Sequence, residues 1–286
     1  MRLSYNNWAY TSFFVWTPSY TLEETIKRLA RIGYDGIEIG AGAPHAWPAH
    51  LTKERRQEIK RLLDEHKLAV SSMLPAPSGG PGNNPVSPLA EERRWAVEHY
   101  KEIIELCSDW DCKTLIYLPG WRVFGTTRRQ AWQWSREALK QIAEFAAQHD
   151  VTMVIEPTPH DTNMCESSYD AIELMEDVGH PNVKLMFDTF HVFYRHEVPT
   201  DYVYEMGKDL KHIHISDNDR KTAGTGIGDW EGFVEALLDI EFDGYLTMET
   251  GFHERGIQVD QDAREGLRFL KGMVERKTAE RASAKP

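Results

Sequence analysis

Four apolar runs in the second half of the chain each stop on a residue able to ligate a cation, and this recurrence limits the fold more than any other feature. VTMVIE ends at Glu156, VKLMFD at Asp188, LKHIHIS carries His214 near its end, and YLTME ends at Glu249. Each run is short and rich in Val, Ile, Leu and Met, the pattern of a strand buried on both faces. Pro157 cannot donate to a ladder, so the first run ends beside Glu156. The four residues stand 32, 26 and 35 positions apart, each interval enough for one strand plus the crossover helix that a parallel neighbour requires. In a closed parallel barrel such strand tips converge on one face.

The first half repeats the alternation. Residues 3–10 read as a first strand weakened by an Asn pair. Thr21 to Glu24 matches a capping box, and Leu22, Ile26, Leu29 and Ala30 recur at helical spacing up to Gly33. YDGIEIG (34–40) is a second strand ending near Glu38, followed by a loop holding His45, a helix over 52–67 and a third strand over 68–77. Helices over 90–109 and 128–149 enclose a fourth strand, 113–121. Further helices are expected near 167–178, 200–209 and 229–240, with a last one over 258–275. SGGPGNNPVSP (78–88) is a loop long enough to serve as a lid or to be a plain surface excursion.

A length of 286 residues accommodates two average domains or one α/β barrel. Eight strand-then-helix units without a break in composition favour a single (β/α)8 TIM barrel over residues 1–276, with a flexible tail over 277–286. An open doubly wound sheet would carry G-x-G-x-x-G after its first strand, which is absent. The glycines of GTGIGD (224–229) follow the seventh strand instead and read as a tight turn beside a bound ligand.

With 33 Lys+Arg against 45 Asp+Glu, the net charge of −12 opposes binding to nucleic acid or anionic lipid. No run reaches membrane-spanning length and the N-terminus lacks an apolar signal region, so the expected compartment is the cytoplasm. Cys107, Cys112 and Cys165 form no C-x-x-C pair and read as buried thiols.

Taken one at a time, the four tip residues have structural explanations: strand-end carboxylates cap helices, and a core histidine is satisfied by hydrogen bonds. Four in register point to chemistry. Glu156, Asp188, His214 and Glu249 form an oxygen and nitrogen set without thiolates, suited to one divalent ion, Mn²⁺ first and Mg²⁺ or Co²⁺ as alternatives. In HIHIS the two histidines share a face; His214, nearer the tip, is assigned to the metal and His212 to the layer beneath. Such an ion holds a carbonyl and a neighbouring hydroxyl oxygen and stabilises the enediolate left when a proton departs beside the carbonyl. Two carboxylates on opposite sides of the substrate can remove and return that proton. His191 and Arg220 have donors for sugar oxygens, and Trp121, with Trp8 and Phe190 behind it, can stack on a sugar face.

On these residues, IEP around Glu156, DTFH at 188–191, HIHISDNDR at 212–220 with the following GTGIGDW, and MET around Glu249, together with YDGIEIG and PHAWP, the chain resembles the xylose-isomerase-like barrel superfamily, in its ketose 3-epimerase branch. The resemblance implies that Glu156, Asp188, His214 and Glu249 bind Mn²⁺ or a similar ion. It also implies that Glu156 and Glu249 are the acid/base pair, that His191 and Arg220 hold substrate oxygens, and that the protein is a homodimer or homotetramer acting on a sugar. Ketohexose epimerases of this type carry a second glutamate six residues after the first, where this chain has Thr162. His160 or Asn163 is the candidate to replace it, and a substituted sugar, keto-inositol or keto-glycoside becomes a candidate substrate. The rival readings are a lyase or dehydratase acting on a keto-sugar or keto-glycoside, including C-glycoside cleavage with a partner subunit, and a barrel that only binds sugar. An apurinic endonuclease would need further ligands, for which only Glu38 and His45 are candidates.

Overall fold

The computed structural model describes residues 1–11, 20–75, 84–251 and 259–284. The expected lid, 78–88, therefore falls largely outside the described residues. The chain alternates strand and helix: β1 (Arg2–Asn6), α1 (Leu22–Ile32), β2 (Gly36–Ala41), α2 (Lys53–His66), β3 (Ala69–Pro75), α3 (Ala90–Asp109), β4 (Thr114–Tyr117) and α4 (Arg128–Gln148). It continues with β5 (Thr152–Ile155), α5 (Ser168–Val178), β6 (Val183–Asp188), α6 (Thr189–Tyr194), α7 (Pro199–Met206), β7 (Leu210–Ile215), α8 (Trp230–Asp239), β8 (Tyr245–Met248) and α9 (Val259–Ala284). The eight strands pair in sequence order, all parallel, and β8 closes onto β1. The protein is a single (β/α)8 barrel.

Local chemistry accounts for the element ends. The Thr21 side chain accepts the Glu24 N–H at 3.2 Å and Gly33 terminates α1 in the left-handed region at φ 107°. Thr52, Thr127 and Ser167 cap α2, α4 and α5 in the same way. β1 is shorter than its sequence run because the Asn6 side chain accepts the Trp8 N–H at 2.8 Å and starts a 3₁₀ turn over Asn7–Tyr10. The short α6, not anticipated from sequence, begins on Asp188, whose carboxylate accepts the Phe190 N–H at 2.9 Å.

The helix expected to end at 275 runs on through Ala284, past the 276 boundary assigned from sequence. That tail carries few apolar residues, so ionic contacts hold it: Lys277 is buried, with its Nζ 2.6 Å from Glu235 and 3.2 Å from Glu231, and Arg281 lies 2.7 Å from Asp239.

Side-chain alternation along each strand divides the molecule into two packed regions. Tyr5, Ile37, Ile39, Met73, Ile155, Phe187, Ile213, Ile215 and Met248 point outward into the main core under the helices. Leu74, Ile116, Val154 and Met186 point into the barrel and pack with Trp8 as a separate apolar cluster. The opposite half of the interior is polar: Ser4, Asn6, Glu38, Ser72, His212, His214 and Thr247 are all fully or almost fully buried there. Two register shifts set their levels. One extra residue on β3 puts Ser72 opposite Glu38, and one on β7 puts His214 opposite Asp188.

Candidate active site

The inward positions continue to the strand tips by the same two-residue period. Glu156 follows Val154, Asp188 follows Met186, His214 follows His212 and Glu249 follows Thr247. The barrel hydrogen bonds extend one residue past β5 and β8, from the Glu156 N–H to Tyr117 O at 3.1 Å and from the Glu249 N–H to Ile215 O at 3.0 Å, which fixes where both glutamates leave the sheet.

Ligand atoms of Glu156, Asp188, His214 and Glu249 all lie within 4.8 Å of one another. His214 Nδ1 is 3.2 Å from Glu156 Oε1 and 3.0 Å from Glu249 Oε2. It is nevertheless a buried nitrogen without a hydrogen-bond partner, because neither oxygen lies along its ring direction. A lone buried nitrogen surrounded by three carboxylates is the donor set a hard divalent cation takes, so these residues fit one. A second group able to hold a metal, Glu38, His212 and His214, lies directly beneath and shares His214.

The electrostatics of the cluster are those of charges packed out of water. Burial pushes the Asp188 carboxyl up to about 8, the Glu249 carboxylate adding to it against the Arg220 guanidinium. Burial also raises Glu156, with Glu249 again adding and His214 opposing. Glu249 is equally desolvated, but Arg220 and His214 outweigh that and hold its carboxyl well below the usual range. Burial disfavours a charged His214, yet the surrounding Glu38, Glu249 and Glu156 carry its imidazole well above its ordinary value.

Arg220 is aimed by an unusual loop. Asp219 and Arg220 both sit in the left-handed region, at φ 60° and 59°. The guanidinium donates to Asp188 and, at 2.6 Å, to Glu249, and lies 4.2 Å over the Phe190 ring. The glycines of GTGIGD wrap the buried carboxylate of Asp217, which accepts from Gly224 N at 2.9 Å, Gly228 N at 3.0 Å and the Trp230 indole N–H at 3.0 Å. The chain thus fills its own anion cradle.

His191, on α6, is buried with Nε2 3.5 Å from Asp161 Oδ2 and 4.0 Å from Asp188 Oδ2, and its Nδ1 has no partner. Burial and the nearby Arg220 hold it well below the normal imidazole range, so it is a neutral ring. His191 and Arg220 line a cavity over the carboxylates, together with Glu156, Glu249, Trp8, Leu74, Leu118, Thr158, Asp161 and Thr162. Trp121 and His160, assigned to substrate from sequence, are not among its lining residues. The Trp121 backbone is instead held by the Asn84 side chain at 2.8 and 3.2 Å. His160 is half exposed and turned to Asp161 at 2.6 Å and to the edges of Phe190 and Tyr194. Asn163 pairs with the Arg122 backbone at 2.6 and 3.0 Å.

Trp8, ranked behind Trp121 in the sequence, takes the cavity position because it follows Ser4 and Asn6 on the inward face and Gly40 gives it room. A Cβ at Gly40 would overlap the indole. Asp161 had no sequence signal of its own. Glu38 had one, a lone carboxylate in the apolar run IEI. His45 lies outside the cluster, with both ring nitrogens engaged by Asn7 at 2.8 Å and Tyr20 O at 2.7 Å. Among the described residues no helix is long and apolar enough to cross a membrane.

A family model described as xylose isomerase-like TIM barrel matches residues 26–273. Fructoselysine 3-epimerase of Shigella flexneri is 25% identical over 236 residues, covering 80% of this chain and 84% of that protein. L-ribulose 3-epimerase of Methylomonas sp. (strain DH-1) is 27% identical over 255 residues, covering 87% and 85%. The solved structure of D-psicose 3-epimerase with D-tagatose from Clostridium cellulolyticum H10 superposes with a TM-score of 0.83 over 96% of this chain and 99% of that one, at 21% identity.

Proposed function

This chain belongs to the xylose isomerase-like TIM barrel family, and from that premise we propose that it is a divalent-metal-dependent ketose 3-epimerase or closely related sugar isomerase. The observation that carries the reading is the convergence of Glu156, Asp188, His214 and Glu249 around the unpartnered His214 Nδ1. Relatives named as 3-epimerases of fructoselysine and L-ribulose, each aligned over most of both chains, support the same chemistry.

Glu156, Asp188, His214 and Glu249 would hold the ion, with Mn²⁺ the first choice for this oxygen-rich set and Mg²⁺ or Co²⁺ the alternatives. When bound there, a divalent cation supplies a Lewis acid that polarises a ketose carbonyl and makes the adjoining C–H acidic. Glu156 and Glu249 approach the cavity from β5 and β8, so one carboxylate takes the proton from the carbon next to the carbonyl while the electron pair moves onto the carbonyl oxygen. The other returns a proton to the opposite face, inverting that carbon. Arg220, held between Asp188 and Glu249, and the neutral His191 present N–H donors to sugar oxygens on which negative charge develops. Trp8, Leu74 and Leu118 form the apolar wall that covers a sugar face and excludes water.

Thr162, whose hydroxyl meets that of Thr158 at 2.7 Å, stands where ketohexose epimerases of this kind carry a glutamate. Its shorter side chain leaves space for a substituent on the sugar. Incubation with a panel of ketoses, including substituted ones, in deuterated water with Mn²⁺ should place deuterium on the carbon beside the carbonyl. Absence of exchange with every ketose, together with cleavage or dehydration of a keto-glycoside, would replace the epimerase reading with that of a lyase or dehydratase.

A further inference from the structure

Glu38 is a fully buried carboxylate on which four hydrogen-bond donors converge. Asn6 Nδ2 approaches Oε1 at 2.6 Å, Ser72 Oγ approaches Oε2 at 2.5 Å, and His212 Nε2 and His214 Nε2 lie 2.8 and 3.0 Å from Oε2. Asn6, Glu38 and Ser72 are register neighbours on β1, β2 and β3, whereas the histidines come from β7 across the barrel.

An ionised carboxylate only accepts, so both histidines must carry a proton on Nε2 to meet it. For a neutral His214 the ring then has one lone pair left, at Nδ1. That atom lies among Glu156, Asp188 and Glu249 and has no hydrogen-bond partner. With both Nε2 atoms protonated toward Glu38, neither histidine offers a lone pair to an ion between Glu38, His212 and His214.

We propose that Glu38 is a positioning residue that fixes His214 in its Nε2–H form and orientation, so that Nδ1 is the metal-binding atom, and that the Glu38, His212 and His214 group is its hydrogen-bonded support rather than a second metal centre. The inference rests on the metal reading given above. Carboxylates that orient ligand histidines characteristically change metal affinity by about 10- to 100-fold when removed. Glu38→Gln keeps the volume but presents an NH₂ group to one histidine N–H, which must then rotate or move its proton.

Calorimetric titration of the metal-depleted chain with Mn²⁺ should give one ion per chain for wild type and for Glu38→Gln, with Kd raised about 10- to 100-fold in the variant. Nitrogen-15 NMR of the histidine rings with Mg²⁺ bound should show the His214 Nε2 proton in wild type and its loss or displacement in Glu38→Gln, a change that looser packing alone does not produce. Should circular dichroism show Glu38→Gln unfolded, Glu38→Asp, which retains the charge but withdraws it from His214, should weaken Mn²⁺ binding in the same direction. Unchanged affinity and an unchanged ring proton in a folded variant would overturn the assignment. Two ions per wild-type chain, one of them lost in Glu38→Gln, would identify a second metal centre and overturn it as well. No uptake of Mn²⁺ by wild type would remove the metal reading itself, and this inference with it.

Discussion

Arg220 and Glu249, 29 residues apart in sequence, meet at 2.6 Å above the barrel, guanidinium nitrogen to carboxylate oxygen. The pair joins a loop held in left-handed backbone to the last strand tip, and it places a fixed positive charge beside a carboxylate that both ligates and moves a proton in the proposed reaction. Arg220 and the His214 imidazole keep that carboxylate ionised against its burial, so Glu249 is ready to act as a base.

Glu249→Gln removes the ionisable oxygen while preserving size. We expect exchange of the substrate C–H with deuterated water to fall by about 10²- to 10⁴-fold, the range for loss of a general acid or base. Circular dichroism should remain that of the wild type. Retention of near-normal exchange would exclude Glu249 from proton transfer.

Chelation should abolish activity and lower thermal stability together, and Mn²⁺ should restore both. At free Mn²⁺ about 100-fold above Kd, binding stabilises the folded chain by about 2.7 kcal/mol. For a chain of this size that corresponds to a Tm higher by about 4–5 °C. A Tm indifferent to chelator and to added Mn²⁺, Mg²⁺ and Co²⁺ would show that the four tip residues bind no ion.

Metal affinity should rise with pH up to about 8. Burial holds a proton on Asp188 to about 8, far above the ordinary aspartate value, and Glu156 is shifted the same way. The ion needs these oxygens free, so binding displaces a proton from the cluster. The sign follows: protons on Asp188 and Glu156, and on the His214 imidazole that the surrounding carboxylates raise, compete with the ion, so affinity grows with pH by about tenfold per pH unit for each proton released. Titrations in buffers of different ionisation enthalpy count the protons directly. Affinity that declines between about pH 6 and 8 would contradict the buried-carboxylate account.

Asp217→Asn weakens the cradle formed with Gly224, Gly228 and Trp230. Hydrogen bonds to a charged acceptor contribute about 1.5–3 kcal/mol, so urea unfolding should show a loss of about that size. Because the same segment carries Arg220, KM for the sugar should rise more than kcat falls. A stability loss with unchanged KM would separate the loop's fold from substrate binding.

Gly40→Ala places a methyl group where the Trp8 indole lies. Overpacking of this kind costs about 1–3 kcal/mol. Since Trp8 lines the cavity, the displaced ring should also raise KM, which steady-state kinetics with the preferred sugar will register.

Much of this was legible in the chain because it is written in short-range terms. The alternation of apolar runs with capped helices specifies the barrel, and the two-residue period carries Glu156, Asp188, His214 and Glu249 inward at successive tips; neither depends on knowing the distant contacts. What the sequence alone could not determine is which residues meet across the closed barrel. Glu38 lies 176 positions from His214, and nothing local says that β2 faces β7. Trp8 lines the cavity where Gly40 leaves room for its indole, and the glycines after β7 close on Asp217, 7 and 11 residues away. Periodicity assigns each side chain a face; only closure of the sheet, with its two register shifts, decides at what height each one sits and which opposite wall it touches.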